Sequence, residues 1–424
     1  MMNKLATTAI FVLLLFTNSA FAGDTLRVMH YNLMYYDNYT SIPIACNATT
    51  NNVDLKDDYL STIINHTKPD IFTANEINSS IPSVQRILTN TLNVNGITHY
   101  KRGSFSGSDI SNMLYYNSDK LVLKSQTYIQ TEPRITDVYR LYYKPELTYT
   151  PLDTIYITCF VIHPKASNDA SSRDRRTAAA NQIMNYITTS GIQGNVMLLG
   201  DLNIYYSTEG SFQAYTTATP TGFRFYDPIN EVGYWNDNSS YAHVHTQSTH
   251  TSGSCFASGG MDDRFDFILT SLPLLQESNN LRYVANSYKA LGQDGNRFNG
   301  SLISPSNTSL PANVISALYN MSDHLPVTLK LFVNTQTSIG YNNTISNLNV
   351  SISNPVTNNL VISTTENAIN GLTIQVFDML GNAVENRKEN VLPVTTPVSH
   401  LRRGIYLVKV SNGENSVVKK IIKQ

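Results

Sequence analysis

Six stretches of this chain set an amide, a carboxylate or an imidazole where an apolar, strand-like run begins, ends or is interrupted. Asn32 closes the first such run, Glu76 follows Ile71-Phe-Thr-Ala-Asn75, and His163 follows Thr158-Cys-Phe-Val-Ile162. Asp201 and Asn203 follow Val196-Met-Leu-Leu-Gly200, Asp266 lies within Arg264–Leu269, and Ser322-Asp323-His324 opens the last run. Such groups bind hard cations and move protons near neutral pH. Polar side chains at one rim of a sheet can converge on a ligand, whereas scattered ones only meet solvent. Taken singly, each has a plain reading: Asp201-Leu202-Asn203 as an Asx turn, Ser322-Asp323 as a turn before a strand, a lone histidine as a satisfied polar residue. Their joint occurrence points to a site.

These positions need elements to hold them. Leu26–Leu33 reads as a buried strand, and Leu55–His66, with Leu60, Ile63 and Ile64 at helical spacing, as the helix after it. Ile71–Ala74 is the next strand, and Ser80 with Pro82 opens a second helix carrying Val84, Ile87 and Leu88. Strands cluster at Met113–Tyr116, Leu121–Ile129, Val138–Lys144 and Ile155–His163, before a long helix from 172 to 189 that Gly191 stops. Val196–Leu199, Arg264–Leu269 and Val327–Val333 complete the buried-strand candidates. Mixed order with runs of consecutive strands predicts sheet packed on sheet with helices outside.

At 424 residues the chain predicts two or three folding units. Its net charge of −1, without Lys/Arg tracts, removes the simplest electrostatic argument for a nucleic-acid binder, and 41% hydrophobic content excludes a disordered chain. Residues 1–22 read as a signal peptide, with Lys4, the apolar run Ala9–Phe16 and the small-x-small pattern Ala20-Phe21-Ala22. No later run is long enough to span a bilayer. Cys159 lies in an apolar run, whereas Cys46 and Cys255 lie in loop-like sequence, where export permits a disulfide between them.

An Asn/Ser/Thr-rich stretch at 336–348 reads as a linker between a body at 23–335 and a tail at 349–424. Residues 23–339 carry 21 Lys/Arg against 26 Asp/Glu, whereas 340–424 carry 8 against 5, so the halves differ in electrostatic character. Two features stand apart from the strand-end pattern. Arg173, Arg175 and Arg176 form a basic cluster that reads equally as a substrate contact and as a solvated helical turn. His243, His245 and His250 read as a polar loop rather than a zinc site, because no cysteine or carboxylate completes a short spacing.

The body resembles the endonuclease/exonuclease/phosphatase (DNase I-like) superfamily over residues 26 to about 333. The motifs that carry the resemblance are Arg27-Val-Met-His-Tyr-Asn32, Pro69-Asp70-Ile71 leading to Glu76, and Val161-Ile162-His163. Gly200-Asp201-Leu202-Asn203, Asp263-Arg264-Phe265-Asp266 and Ser322-Asp323-His324-Leu325-Pro326 continue them in order. The resemblance implies an α+β fold, a four-layer αββα sandwich, and a metal-dependent hydrolase of phosphoric esters. It implies Glu76 and Asp323 as ligands of Mg²⁺ or Mn²⁺, with Asn32 as a neighbouring ligand or positioning amide and Ca²⁺ as a structural ion. Asp201 would activate water, Asn203 would donate to a phosphoryl oxygen, and His324, oriented by Asp266, would act on the phosphate. His163 would hydrogen-bond the phosphate or protonate the leaving oxygen. For the substrate-contacting arginine, Arg140 is preferred to Arg134. The substrate expected first is an extracellular nucleic acid, cleaved by a monomeric enzyme. A sphingomyelinase or other small phosphodiesterase or phosphatase is the alternative, and a non-catalytic surface-binding protein on the same fold is a third reading.

The tail alternates in short runs split by turn signals, as a small all-β sandwich would. Asn354-Pro355, Val376-Phe-Asp-Met-Leu-Gly381, Leu401-Arg-Arg-Gly-Ile-Tyr-Leu-Val-Lys-Val410 and Lys419-Lys-Ile-Ile422 resemble the C-terminal sorting domain of the type IX secretion system. That resemblance implies the type IX machinery as a partner and a secreted or surface-attached product in a Bacteroidetes-like bacterium.

Overall fold

Strand β1 (Gly23–Tyr36) leads to helix α1 (Val53–Thr67), whose start is fixed by Asn52, its side chain accepting from the amides of Asp54 and Leu55. β2 (Ile71–Asn78) follows, then α2 (Ile81–Ile87), capped by Ser80 and carrying Pro82 in its first turn. Next come β3 (Tyr100–Arg102), β4 (Ile110–Asn117), β5 (Leu121–Ile129), β6 (Thr136–Tyr143), β7 (Tyr156–Ile162), α3 (Ala170–Thr189) and β8 (Val196–Asp201). The unit continues through α4 (Gly210–Thr216), β9 (Phe225–Tyr226), β10 (Asp266–Ser271), α5 (Leu272–Gln276), β11 (Leu281–Tyr283), β12 (Lys289–Ala290), α6 (Ala312–Met321) and β13 (Val327–Asn334). This structure is a computed structural model that describes residues 23–38, 46–107, 110–144, 154–253, 255–276, 278–334, 350–364, 371–378, 382–412 and 416–424. The expected signal peptide and linker lie outside the described residues.

The strands form two sheets, one ordered β11-β13-β1-β2-β4-β3 with β12 beside β13, the other β5-β6-β7-β8-β10-β9. Leu26, Val28, Ile71, Leu114 and Leu329 of the first sheet meet Leu141, Ile157, Val161, Met197 and Ile268 of the second in one buried layer. The outer face of the first sheet packs against α1, α2 and α6 through Leu60, Ile63, Val84, Ile87, Ile315 and Leu318. The outer face of the second packs against α3 and α4 through Ile183, Ile187, Phe212 and Tyr215. These are the four layers, helix, sheet, sheet, helix, of the expected α+β sandwich. Residues 337–424 form a second unit, whose described strands make a three-stranded and a four-stranded antiparallel sheet around Leu360, Ile374, Val408 and Ile421.

Register decides where the polar strand ends fall. β1 and β2 run parallel with Asn32 opposite Asn75, which puts Glu76 one residue beyond. β13 runs antiparallel to β1 with Val327 opposite His30, so Asp323 and His324 enter at that same end. In the second sheet β7 and β8 run parallel with Ile162 opposite Gly200, and β10 pairs antiparallel to β8 with Asp266 opposite Asp201. Gly200 is required for that pairing: a Cβ there would sit 2.1 Å from the Ile162 carbonyl oxygen.

Of the arginine cluster, Arg176 is fully buried, its Nε and Nη2 donating to the two Glu209 carboxylate oxygens at 2.7 and 2.9 Å. Its Nη1 donates to the carbonyls of Lys165 and Ser167, so one guanidinium joins the loop after His163 to the loop after Asn203. Arg175 faces Glu132 at 3.6 Å, and Arg173 donates to the Asn168 carbonyl. Arg176 therefore serves packing, and its reading as a substrate contact is corrected, while Arg173 and Arg175 stay at the surface of the helix start. Removing one partner of a buried pair strands the other charge. Glu209→Ala is expected to lower unfolding free energy by about 3–5 kcal/mol, measured from urea unfolding; a loss under about 1 kcal/mol would place the pair among weak surface contacts.

Candidate active site

The sandwich brings eight of the nine residues singled out by sequence to one rim. Asn32 is buried, and its Nδ2 donates to Glu76 Oε1 (3.1 Å) and Asp201 Oδ2 (3.0 Å). His163 Nε2 lies 3.7 Å from Glu76 Oε1 and 3.5 Å from Asp201 Oδ2. His324 Nδ1 donates to Asp266 Oδ2 at 2.7 Å, and its Nε2 lies 3.7 Å from Asp201 Oδ2. The Asn203 amide donates to Asp201 Oδ1 at 3.0 Å, while Asn203 Nδ2 is buried with no partner among the described residues. Asp323 Oδ2 accepts from the Ala257 amide at 3.0 Å. Glu76 and Asn203 sit in left-handed backbone, φ 57° and 52°, which costs about 1–3 kcal/mol for a residue other than glycine and persists where surroundings over-determine it.

The ninth residue, Arg140, is elsewhere. It projects from the outer face of β6, stacked 4.3 Å over the Tyr156 ring, and lines a polar cleft of about 600 Å³ with Thr158, Tyr186 and Asn195. Residues alternate across a strand, and Arg140 shares its face with Val138, which packs towards α3, so it cannot turn to the rim. Among the described residues, Arg134 is the arginine at the site: its Nη1 donates to the carbonyls of His163 and Pro164 (3.2 and 3.3 Å), and its Nε is buried without a partner there. The preference for Arg140 over Arg134 is thereby corrected.

The grouping of cation donors also changes. Among the described residues, the donors that lie within 4.8 Å of one another are those of Glu76, His163 and Asp201. Asp323 stands outside this group but close enough for its charge to act on Glu76. Asn32 turns its nitrogen to the carboxylates, and its Oδ1 accepts from the Met34 amide (2.9 Å), so it orients them rather than offering them an oxygen.

Electrostatics separates the two imidazoles. Burial, reinforced by the Arg134 and His324 charges, holds His163 well below the usual histidine range, so its ring is neutral. Burial also opposes charge on His324, but Asp266, Asp201 and Asp323 outweigh it and hold its pKa well above that range. Asp201 is pushed up to about 7, chiefly by burial and then by Asp266 and Glu76, against the pull of His324. Burial and the Asp323 charge raise Glu76. A rim whose buried carboxylates Asp201 and Glu76 are raised by burial and by neighbouring negative charge suits a divalent cation, and an oxygen-rich donor set with one imidazole fits such an ion.

Several contributors carried no separate signal in sequence. Gln247 places its carboxamide 2.8 Å from His324 Nε2, a contact an amide can serve in either ring state. Asn75 Oδ1 accepts from the Asp201 amide (3.0 Å), and Asn75 Nδ2 donates to Asn112 Oδ1 (2.7 Å). Ser322 Oγ donates to the Asn32 carbonyl and accepts from the His324 amide. Cys46 and Cys255 are joined, tying the segment before α1 to the loop whose Ala257 amide holds Asp323. The three loop histidines diverge: His245 bridges the carbonyls of Trp235 and Met261, His250 is sandwiched between Phe256 and Tyr319, and His243 faces Glu231.

The raised Asp201 and His324 act with one sign: the folded chain binds more protons than the unfolded one. In metal-free protein their contribution is whole below the unfolded values; for Asp201 it is lost as pH rises from about 4 to about 7, and for His324 at higher pH still. His163 and His30, held low, act with the opposite sign, so the test is a difference: between pH 5.5 and pH 8, EDTA-treated wild type is expected to lose more stability to urea, or gain less, than Asp201→Asn. Asp266→Asn should bring the His324 ring titration, followed by NMR, down towards the ordinary range. A titration unchanged in Asp266→Asn would overturn the assignment of its cause.

No curated protein matches the chain in sequence. Solved structures similar to it include the human Nocturnin catalytic domain with bound sulfate anion, at 13% identity and TM-score 0.46 over 73% of this chain and 98% of that one. An endonuclease/exonuclease/phosphatase family protein from Bacteroides thetaiotaomicron aligns at 14% identity and TM-score 0.43 over 73% and 98%. D. rerio TDP2 complexed with single strand DNA product aligns at 12% identity and TM-score 0.45 over 72% and 98%. Residues 353–424 match the family described as Secretion system C-terminal sorting domain.

Proposed function

We propose that the body of this chain is an exported, divalent-metal-dependent phosphodiester hydrolase. The observation that carries this reading is the meeting at one rim of a buried carboxylate cluster, two imidazoles in opposite charge states, and the unpartnered donors Asn203 Nδ2 and Arg134 Nε. Phosphodiester cleavage calls for those parts together: an activated water, donors for the phosphoryl oxygens and a proton for the departing alkoxide. Glu76, with Asp201 and His163 and with Asp323 nearby, would hold the cation, which when bound offsets charge on the phosphate and its leaving oxygen. Asp201, ionised beside the cation, takes the proton from water. Asn203 Nδ2 donates to a phosphoryl oxygen, and Arg134 adds a fixed positive charge beside it. His324, kept charged by Asp266, pairs with the phosphate and can give up the Nε2 proton. Neutral His163 stays on the carboxylate side of the rim.

A nucleic acid is the substrate placed first. Tyr206, three residues beyond Asn203, stacks on Tyr234 at 5.3 Å with an interplanar angle of 5°, and Tyr234 is 54% exposed. Exposed aromatic faces accept unpaired bases of any sequence. The match of residues 353–424 supports export through the type IX machinery.

The test is a panel of plasmid DNA, RNA, sphingomyelin and a chromogenic phosphodiester with Mg²⁺, Mn²⁺, Ca²⁺ or EDTA. Hydrolysis is expected with Mg²⁺ or Mn²⁺ and none with EDTA. Asp201→Ala and His324→Ala should each lower kcat by about 10²- to 10⁴-fold, while Arg140→Ala leaves it unchanged. Turnover that survives EDTA on every substrate would sink the metal mechanism.

A further inference from the structure

We propose that Lys56 is a positioning residue that sets the Glu76 carboxylate for its cation by clamping the turn that follows Asn32. The inference rests on the reading of the rim as a cation site. Lys56, on the first turn of α1, is only 2% exposed, and its Nζ donates to the carbonyls of Leu33 (2.9 Å) and Met34 (2.5 Å). Between those carbonyls and Asp37 the chain turns through left-handed backbone, with φ 43° at Met34, 51° at Tyr35 and 57° at Asp37. Such a run without glycine needs outside support. Lys56 supplies it on one side, and Asn51 Nδ2, donating to the Tyr35 carbonyl at 2.9 Å, on another.

The clamped turn delivers two amides to the site. The Met34 amide donates to Asn32 Oδ1, which turns Asn32 Nδ2 onto Glu76 Oε1. The Tyr35 amide donates to Glu76 Oε2 at 3.1 Å. Each Glu76 oxygen thus has a donor whose placement depends on the turn that Lys56 holds. A neutral residue at 56 would strand two buried carbonyls and release the turn.

Charge and geometry predict opposite outcomes, which makes the role testable. Burial pulls Lys56 down to about 7, against the charges of Asp323 and Glu76. Removing what positive charge it keeps should by charge alone leave metal binding unchanged or tighten it, whereas loss of the clamp should weaken it. Mn²⁺ affinity would be measured by calorimetry on the full chain without substrate, for wild type, Lys56→Gln, Lys56→Arg and Glu76→Gln. Lys56→Gln is expected to raise the Mn²⁺ Kd at least tenfold and Lys56→Arg by less, and Lys56→Gln should add nothing further in a Glu76→Gln background. Affinity in Lys56→Gln equal to or tighter than wild type, or full additivity with Glu76→Gln, overturns the inference. Should Lys56→Gln fail to fold by circular dichroism, Asn51→Ala decides, since it loosens the same turn: a several-fold rise in Kd supports the clamp and wild-type affinity overturns it. Absence of Mn²⁺ uptake by wild type would sink the cation-site reading and this inference together, whereas uptake undiminished in Lys56→Gln sinks this inference alone.

Discussion

Negative charge crowded out of water at one rim is the constraint on which the rest of this structure depends. Glu76, Asp201, Asp266 and Asp323 meet where two sheets end together, and burial pushes Glu76 and Asp201 above the usual carboxylate range. The surrounding protein opposes this: Asn32 donates to two of them, backbone amides of Tyr35, Asn203 and Ala257 each cap one, and His324 carries a charge into their midst. The compensation is partial. Asp201 still stands at about 7, so part of the rim's negative charge is left unbalanced.

The two histidines show how environment separates identical side chains. His324 has a buried carboxylate 2.7 Å from one nitrogen and is held charged, whereas His163 has a guanidinium behind it and two carboxylates no nearer than 3.5 Å, and is held neutral. His30, one layer deeper, is pushed down to about 4 mainly by burial, its Nδ1 sharing a hydrogen bond with Thr73. Such divergence is how one pocket can offer a donor and an acceptor at a single pH.

Much of the fold was legible because apolar period and punctuation agree. Each strand that carries a site residue was readable as an apolar run, α1 and α3 as periodic segments, and the start of α2 from Ser80 and Pro82. Six of the site positions needed only that their strands end at one rim, and paralleled register does this for β1 with β2 and for β7 with β8. What escaped was set by direction and distance. Arg140 and Arg134 are both plausible by spacing, but only the three-dimensional course of the chain before β6 carries Arg134 to the His163 carbonyl. Asn32 is a suitable ligand by type, yet the Met34 amide claims its oxygen. Gln247 and Lys56 act through contacts 77 and 22 to 23 residues distant in sequence, which no local pattern records.

The close passage of Gly200 beneath the Ile162 carbonyl has a consequence for how the site tolerates change. Position 200 is a clearance, not a contact: even a methyl group there would act as a wedge between β7 and β8. The strands carry His163 and Asp201 immediately beyond that point, so any parting would be passed to both before it reached the core. A residue without a side chain thus sets the gauge of the candidate rim, and drift at this position would be felt as lost alignment of His163 and Asp201.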